Sequence, residues 1–168
     1  MKKSIIAAAS LFATVACTAW GQGGTIYIRT DMPYSDVKNV DKAILAECQL
    51  PHQGAELLEK AVSKAGYTVV RDDAAVKAGK GRVLYVEISS AVSMGNAFIG
   101  HRKEVDIKGR LVENGKELGS FYGKRYSMGG AFANFKGSCS VLGRCLDALS
   151  GDIAQWLKSP VKDARLGD

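Results

Sequence analysis

The stretch that decides the fold is Val105-Asp106-Ile107-Lys108-Gly109-Arg110-Leu111-Val112-Glu113-Asn114-Gly115-Lys116-Glu117-Leu118-Gly119-Ser120-Phe121-Tyr122. In its first half Val105, Ile107 and Leu111 point one way, while Glu104, Asp106, Lys108 and Arg110 point the other. A period of two means a strand with one buried and one wet face, as in an antiparallel sheet. Asn114-Gly115 is a two-residue hairpin signal, because both residues tolerate the positive φ angles of a type I′ turn. The outgoing strand is expected over Phe98–Glu113. Its partner runs from Glu117 to Tyr126, with Leu118, Ser120, Tyr122 and Tyr126 on one side. Arg82–Ser93 alternates in the same way, with Leu84, Val86 and Ile88 opposite Val83, Tyr85 and Glu87, and completes a three-strand meander.

Upstream, Thr25-Ile26-Tyr27-Ile28-Arg29-Thr30 reads as a first strand. Asp31–Asn39 is a loop, and Val40–Gln49 has weak helical character. A firm helix begins near Pro51, a residue suited to a first turn. Ala55, Leu58, Ala61, Val62 and Ala65 share one face of it, and Gly66 ends it. Tyr67–Val70 is a second strand, stopped by Asp72-Asp73. Downstream, Met94–Ala97 reads as a turn or mobile loop, and Met128–Gly137 holds too few large aliphatics for a strand. Ser138 opens a last helix to about Leu157, with an apolar stripe of Leu142, Cys145, Leu149, Ile153 and Trp156. Pro160 stops it, and residues 161–168 form a polar tail expected to fray after Lys162. The expected class is α+β: a mostly antiparallel sheet (strand, helix, strand, three-strand meander, helix) with two helices packed on one face. Residues 22–160 form its single domain.

The N-terminus reads as an export signal. Lys2 and Lys3 precede an uncharged apolar run over Ser4–Ala16, which is too short for a membrane span of ~20 residues. Ala19-Trp20-Gly21 places small residues at the −3 and −1 positions and gives a signal peptide of residues 1–21. Thr14-Val15-Ala16-Cys17 is a loose lipobox that would make Cys17 a lipidated N-terminus, but Thr14 stands where such a box carries Leu, which favours plain cleavage. The expected location is periplasmic or secreted, with an outer-membrane lipoprotein as the alternative. Removing residues 1–21 leaves 147 residues and lowers the formal net charge from +6 to +4. That mild, dispersed excess shows no basic stripe interleaved with aromatics, so nucleic acid is not an expected partner.

Cys48, Cys139 and Cys145 remain after cleavage at Gly21, in a compartment that favours disulfides. On one helix, Cys139 and Cys145 would stand ~9 Å apart along the axis, beyond the ~7 Å a bridge spans. Cys145 also lies on the apolar stripe. Cys48 and Cys139 both sit at helix starts, so their pairing is expected. The alternatives are a Cys139–Cys145 link, if the helix begins later, or three free thiols.

No catalytic constellation stands out. There is no Cys-x-x-Cys or Gly-x-Ser-x-Gly, and neither a phosphate loop nor a dinucleotide fingerprint appears. Only His52 and His101 could serve as bases, and His52 has no second ligand at metal spacing in sequence. No cofactor or metal is expected, and a hydrolase is the weakest reading. His101, Arg102, Lys103, Lys124 and Arg125 are candidates for contact with an anion or a partner. Phe132 and Phe135, in the second glycine-rich segment, are candidates for a hydrophobic contact.

Several segments together resemble a group of small, uncharacterised bacterial secreted proteins and lipoproteins. They are the leader, Cys48-Gln49-Leu50-Pro51, Gly66-Tyr67-Thr68-Val69-Val70, the Asn114-Gly115 hairpin, Gly129-Gly130-Ala131-Phe132, Cys139-Ser140-Val141-Leu142 and Asp152-Ile153-Ala154-Gln155-Trp156-Leu157. The element order is topologically similar to the periplasmic domains of curli-secretion and exopolysaccharide-export lipoproteins. The resemblance implies a non-enzymatic envelope protein that acts through protein–protein contacts, including homo-oligomers, in assembly or secretion. The alternative is a binding module for an anionic envelope component such as lipid or polysaccharide.

Overall fold

The computed structural model describes residues 23–96, 100–129 and 137–167, with side chains except at 95, 96, 100, 101, 128 and 129. The leader, Cys17, Phe132 and Phe135 lie outside the described residues. The strands are β1 (Gly23–Ile28), β2 (Tyr67–Arg71), β3 (Arg82–Asn96), β4 (Gly100–Glu113), β5 (Lys116–Gly129) and β6 (Ala164–Gly167). The helices are α1 (Lys42–Glu47), α2 (Leu50–Lys64), α3 (Asp73–Ala78) and α4 (Ser138–Trp156). All six strands join one sheet in the order β2-β1-β3-β4-β5-β6.

The meander is its centre. β3, β4 and β5 are antiparallel, with Val86 opposite Gly109 and Gly109 opposite Phe121. Asn114 (φ 49°) and Gly115 (φ 82°) make the expected turn. β3 continues to Asn96 and β5 to Gly129, so residues 94–96 and 128–129 pair where loops were expected. Backbone pairing to β4 does not depend on large aliphatics, which is why composition concealed it.

The flanks are parallel: β1 pairs with both β2 and β3, and β5 with β6. β6 corrects the expectation of a frayed tail. Its Ala164 and Leu166 pack against the core while Arg165 points away, an alternation too short to register beside Gly and Asp. α3 is a second addition. Asp72 caps it, accepting the amides of Ala74 and Ala75 at 2.8 and 3.0 Å, and Gly79 closes it at φ 63°. The Asp72-Asp73 that stops β2 thus also starts a helix.

α2 and α4 pack on one face of the sheet, with Ile26, Ile28, Leu58, Val62, Leu84, Ile107, Phe121, Leu142, Leu149 and Ile153 in a single core. All five stripe residues expected on α4 are buried; of those on α2, Ala55, Leu58 and Val62 are buried and Ala61 and Ala65 half-buried. Each large aliphatic so placed contributes about 2 kcal/mol of transfer free energy. The two helices run parallel, their starts joined by a disulfide between Cys48 and Cys139. The Tyr67 hydroxyl donates to the Leu157 carbonyl at 2.9 Å near their ends. The β1–α2–β2 and β5–α4–β6 crossovers step outward in opposite directions over the same face. They therefore have opposite hands, and only one obeys the usual right-handed rule.

Beyond β1, the exposed side of β3 is covered by residues 33–41. Ile88 donates to the Pro33 carbonyl at 2.8 Å, and the Ser93 amide to the Asp41 carboxylate at 2.6 Å. This satisfies a backbone edge that would otherwise pair with another chain.

Candidate functional site

On the side away from α2 and α4, α3 covers the start of β3: Val76 and Val83 are buried there and the Tyr85 hydroxyl donates to the Val76 carbonyl at 3.1 Å. Among the described residues the rest of that face, over β3 to β6, carries no helix. Strand alternation and register arrange its side chains in rows. Glu87 lies opposite Lys108, Lys108 opposite Tyr122, and Tyr122 opposite Arg165, a row across four strands. Beside it run Tyr85, Arg110 and Ser120.

Three arginines stack on three tyrosines: Arg110 on Tyr85 at 5.0 Å, Arg165 on Tyr122 at 4.9 Å and Arg102 on Tyr126 at 4.9 Å. Stacking holds each flat group against the sheet and lowers the entropy it would lose on meeting a partner. Tyr122 and Tyr126 remain 48% and 43% exposed. Between the rows is a groove of about 310 Å³ whose walls include Tyr85, Glu87, Arg110, Tyr122 and Asp163. Cations and carboxylates alternate on this face, so it carries no single-sign field.

At its far end stands a charged cluster around Glu104, a buried residue of β4. It accepts from the Arg102 guanidinium, at 2.8 Å from Nε, and from Lys124 Nζ at 2.7 Å. Burial alone would raise the Glu104 pKa, but the hydrogen bonds and charges of Lys124 and Arg102 outweigh it and hold the carboxyl below the usual range. The hydrogen bond to Glu104 raises Lys124 in turn. Asp106 behaves oppositely: burial, reinforced by the Glu104 charge, raises it against the pull of Lys124, 3.8 Å away. Its Oδ1 is buried without a hydrogen bond.

The four cations singled out in the sequence fall on two faces. Arg102 and Lys124 share Glu104 on the open face. Lys103 and Arg125 point to the helix side, where Lys103 bonds to the Ser93 hydroxyl and Arg125 to Asp152 of α4 at 3.0 Å. His101 lies in β4, its side chain outside the described residues. His52 is an exposed residue that bridges Asp31 at 3.1 Å and Glu56 at 3.3 Å. Among the described residues no three His, Cys, Asp or Glu groups are placed to hold a metal ion. Cys145 is buried and unbridged, and burial raises its thiol pKa.

The open-face residues that sequence reasoning missed are Tyr85, Arg110, Asp163 and Arg165. Tyr122 and Tyr126 already shared a side in the alternation; pairing them with arginines on the two neighbouring strands required the register.

No family model matches the chain, and no curated protein does. Solved structures do. A minor lipoprotein from Acinetobacter baumannii aligns over 81% of this chain and 95% of its own, at 9% identity and a TM-score of 0.51. Protein XCC0632 from Xanthomonas campestris, of family DUF330, aligns over 83% and 86%, at 13% identity and a TM-score of 0.52. A PelC dodecamer from Paraburkholderia phytofirmans aligns over 77% and 87%, at 9% identity and a TM-score of 0.45. The domain thus has the fold seen in the first two, a minor lipoprotein and a DUF330 protein. At these identities the likeness is one of fold. No helix among the described residues is long and apolar enough to cross a membrane.

Proposed function

We propose that the chain is an exported, non-enzymatic protein of the bacterial cell envelope that works by contact between its open sheet face and another folded protein chain. The observation that carries this reading is the set of three arginine–tyrosine stacks on a face that no helix covers among the described residues, with Tyr122 and Tyr126 half exposed. Tyr and Arg are the residues that concentrate binding energy at protein interfaces. Stacked, and in the case of Arg102 and Arg110 also held by ion pairs, they meet a partner with little further ordering.

The alternation of charge on the face favours this over an anionic polysaccharide as ligand. Arg102 and Lys124 are engaged by Glu104, and Lys108 faces Glu87 at 3.4 Å. A polyanion would have to displace those carboxylates. A protein surface with its own mixed charges need not. Export to the periplasm or beyond, through the leader of residues 1–21, is part of the proposal, as is the absence of catalysis.

The test is a double substitution, Tyr122→Ala with Arg165→Ala, in cells that express the full chain. Crosslinked assemblies that contain the wild-type protein are expected to disappear while protein level and melting temperature stay within ordinary surface-mutation limits. Unaltered assemblies would sink the proposal.

A further inference from the structure

The strand directions bring the beginning of β1, the ends of α2 and α4, the start of β3 and the β4–β5 hairpin to one pole. Gly23 pairs with Tyr67, whose hydroxyl reaches Leu157; Ile26 pairs with Arg82, and Arg82 with Glu113; Asn114 and Gly81 exchange hydrogen bonds. Four exposed lysines follow from this geometry: Lys64 in the last turn of α2, Lys158 just past α4, Lys80 before β3 and Lys116 at the start of β5. Among the described residues none of the four joins an ion pair, whereas the acidic neighbours there are engaged, Glu113 by Arg82 and Glu117 by Arg110. Beside the pole, between the C-terminal halves of α2 and α4, lies a cleft of about 530 Å³. Lys60, Lys64 and Lys158 rim it, Ala61 and Ala154 are among its apolar lining residues, and Asp147 is its one carboxylate.

We propose that this pole is a docking surface for the anionic phospholipid headgroups of a bilayer. Three observations on the molecule favour that occupant over a protein. The uncompensated cations are all lysines, strongly hydrated point charges that are depleted from protein interfaces but suit a diffuse anionic surface. They spread over several elements around one end: Lys64 and Lys158 rim the cleft, while Lys80 and Lys116 stand outside it. The N-terminal segment leaves the domain at this same end, at Gly23, and six chain steps back to Cys17 span at most roughly 20 Å. A chain tethered at Cys17 would therefore hold the lysine pole against the membrane, and a chain cleaved after Gly21 retains the same pole as a reversible contact. The open sheet face, on the flank of the domain, stays free in either case, so the inference goes beyond the protein contact proposed above and is independent of it.

The experiment is vesicle flotation of the chain from Gln22 onward, which retains every described residue and carries no acyl group. One vesicle set is phosphatidylethanolamine with roughly one-third phosphatidylglycerol, the other phosphatidylcholine alone. The protein is expected to float with the anionic vesicles only, and to be released at high salt. Each lysine near such a surface strengthens binding about fivefold, so the triple variant Lys64→Gln, Lys80→Gln, Lys158→Gln is expected to weaken partition on the order of a hundredfold. A charge-matched control, Lys38→Gln, Lys42→Gln, Arg144→Gln, lies toward the opposite end and is expected to lose less than about threefold. Equal loss in both triples, or no preference for anionic vesicles, overturns the proposal. Sheet-face crosslinks that survive in the pole triple keep its outcome separate from that of the protein contact.

Discussion

Cys48 and Cys139 are 91 residues apart in sequence and 5.3 Å apart between Cα atoms, joined by a disulfide that ties the start of α2 to the start of α4. The bond closes most of the domain into one loop, including the whole meander, and holds parallel two helices that belong to crossovers of opposite hand.

Removing that bond is expected to cost on the order of 4 kcal/mol, the chain-entropy value for a loop of this length. Cys48→Ser with Cys139→Ser should lower the urea midpoint by roughly 2 M at an ordinary denaturant slope. Buried Cys145 gives an independent check, because its thiol should resist alkylation in the native protein and react only on unfolding. A midpoint unchanged by the double substitution would refute the assignment.

Gly109 is where β4 lets Phe121 cross. A Cβ there would stand 2.5 Å from the Tyr85 backbone carbonyl as well as against the Phe121 ring. Backbone inside a sheet cannot retreat as a side chain can, so Gly109→Ala is expected to destabilise by about 2 kcal/mol. Gly115→Ala, at the exposed hairpin with no atom near its Cβ, should cost less than about 1 kcal/mol, through its positive φ alone. Equilibrium unfolding of the two variants side by side distinguishes packing from backbone conformation.

The two carboxylates of β4 predict opposite pH responses. Glu104 is held low in the folded state, so its contribution is present above its unfolded pKa of about 4.3 and is lost as pH falls through the lower folded value. Glu104→Gln should therefore cost about 2 kcal/mol at pH 7 and much less in acid. Asp106 is held high, so its ionisation opposes folding: protonation as pH falls through the raised value relieves that cost. Asp106→Asn is expected to stabilise at pH 7 by less than about 1 kcal/mol, an advantage that fades toward pH ~4. Urea midpoints of both variants across that range test the signs.

Much of this architecture was legible because strand alternation and helical stripes record burial directly. Val105, Ile107 and Leu111 on β4, and Leu142 through Trp156 on α4, show their faces without any partner in view. What stayed hidden depends on partners. β6 is four residues whose strand character comes from pairing with Phe121–Lys124, and α3 is six residues whose signal is an Asp cap and a Gly stop. The candidate site was the least legible part. Arg165 and Tyr122 are 43 positions apart, and only the parallel register of β5 and β6 stacks them. Conversely Arg102 and Lys103, adjacent in sequence, fall on opposite faces because strand side chains alternate.

Contact of the open sheet face with another protein is read out by replacing Tyr122 with a photo-crosslinking amino acid in intact cells, with Glu56 of the helix layer as the control position. A discrete protein adduct is expected from position 122, abolished by Arg110→Ala with Arg165→Ala and absent from position 56. No adduct at 122, or the same adducts at both positions, would contradict this contact.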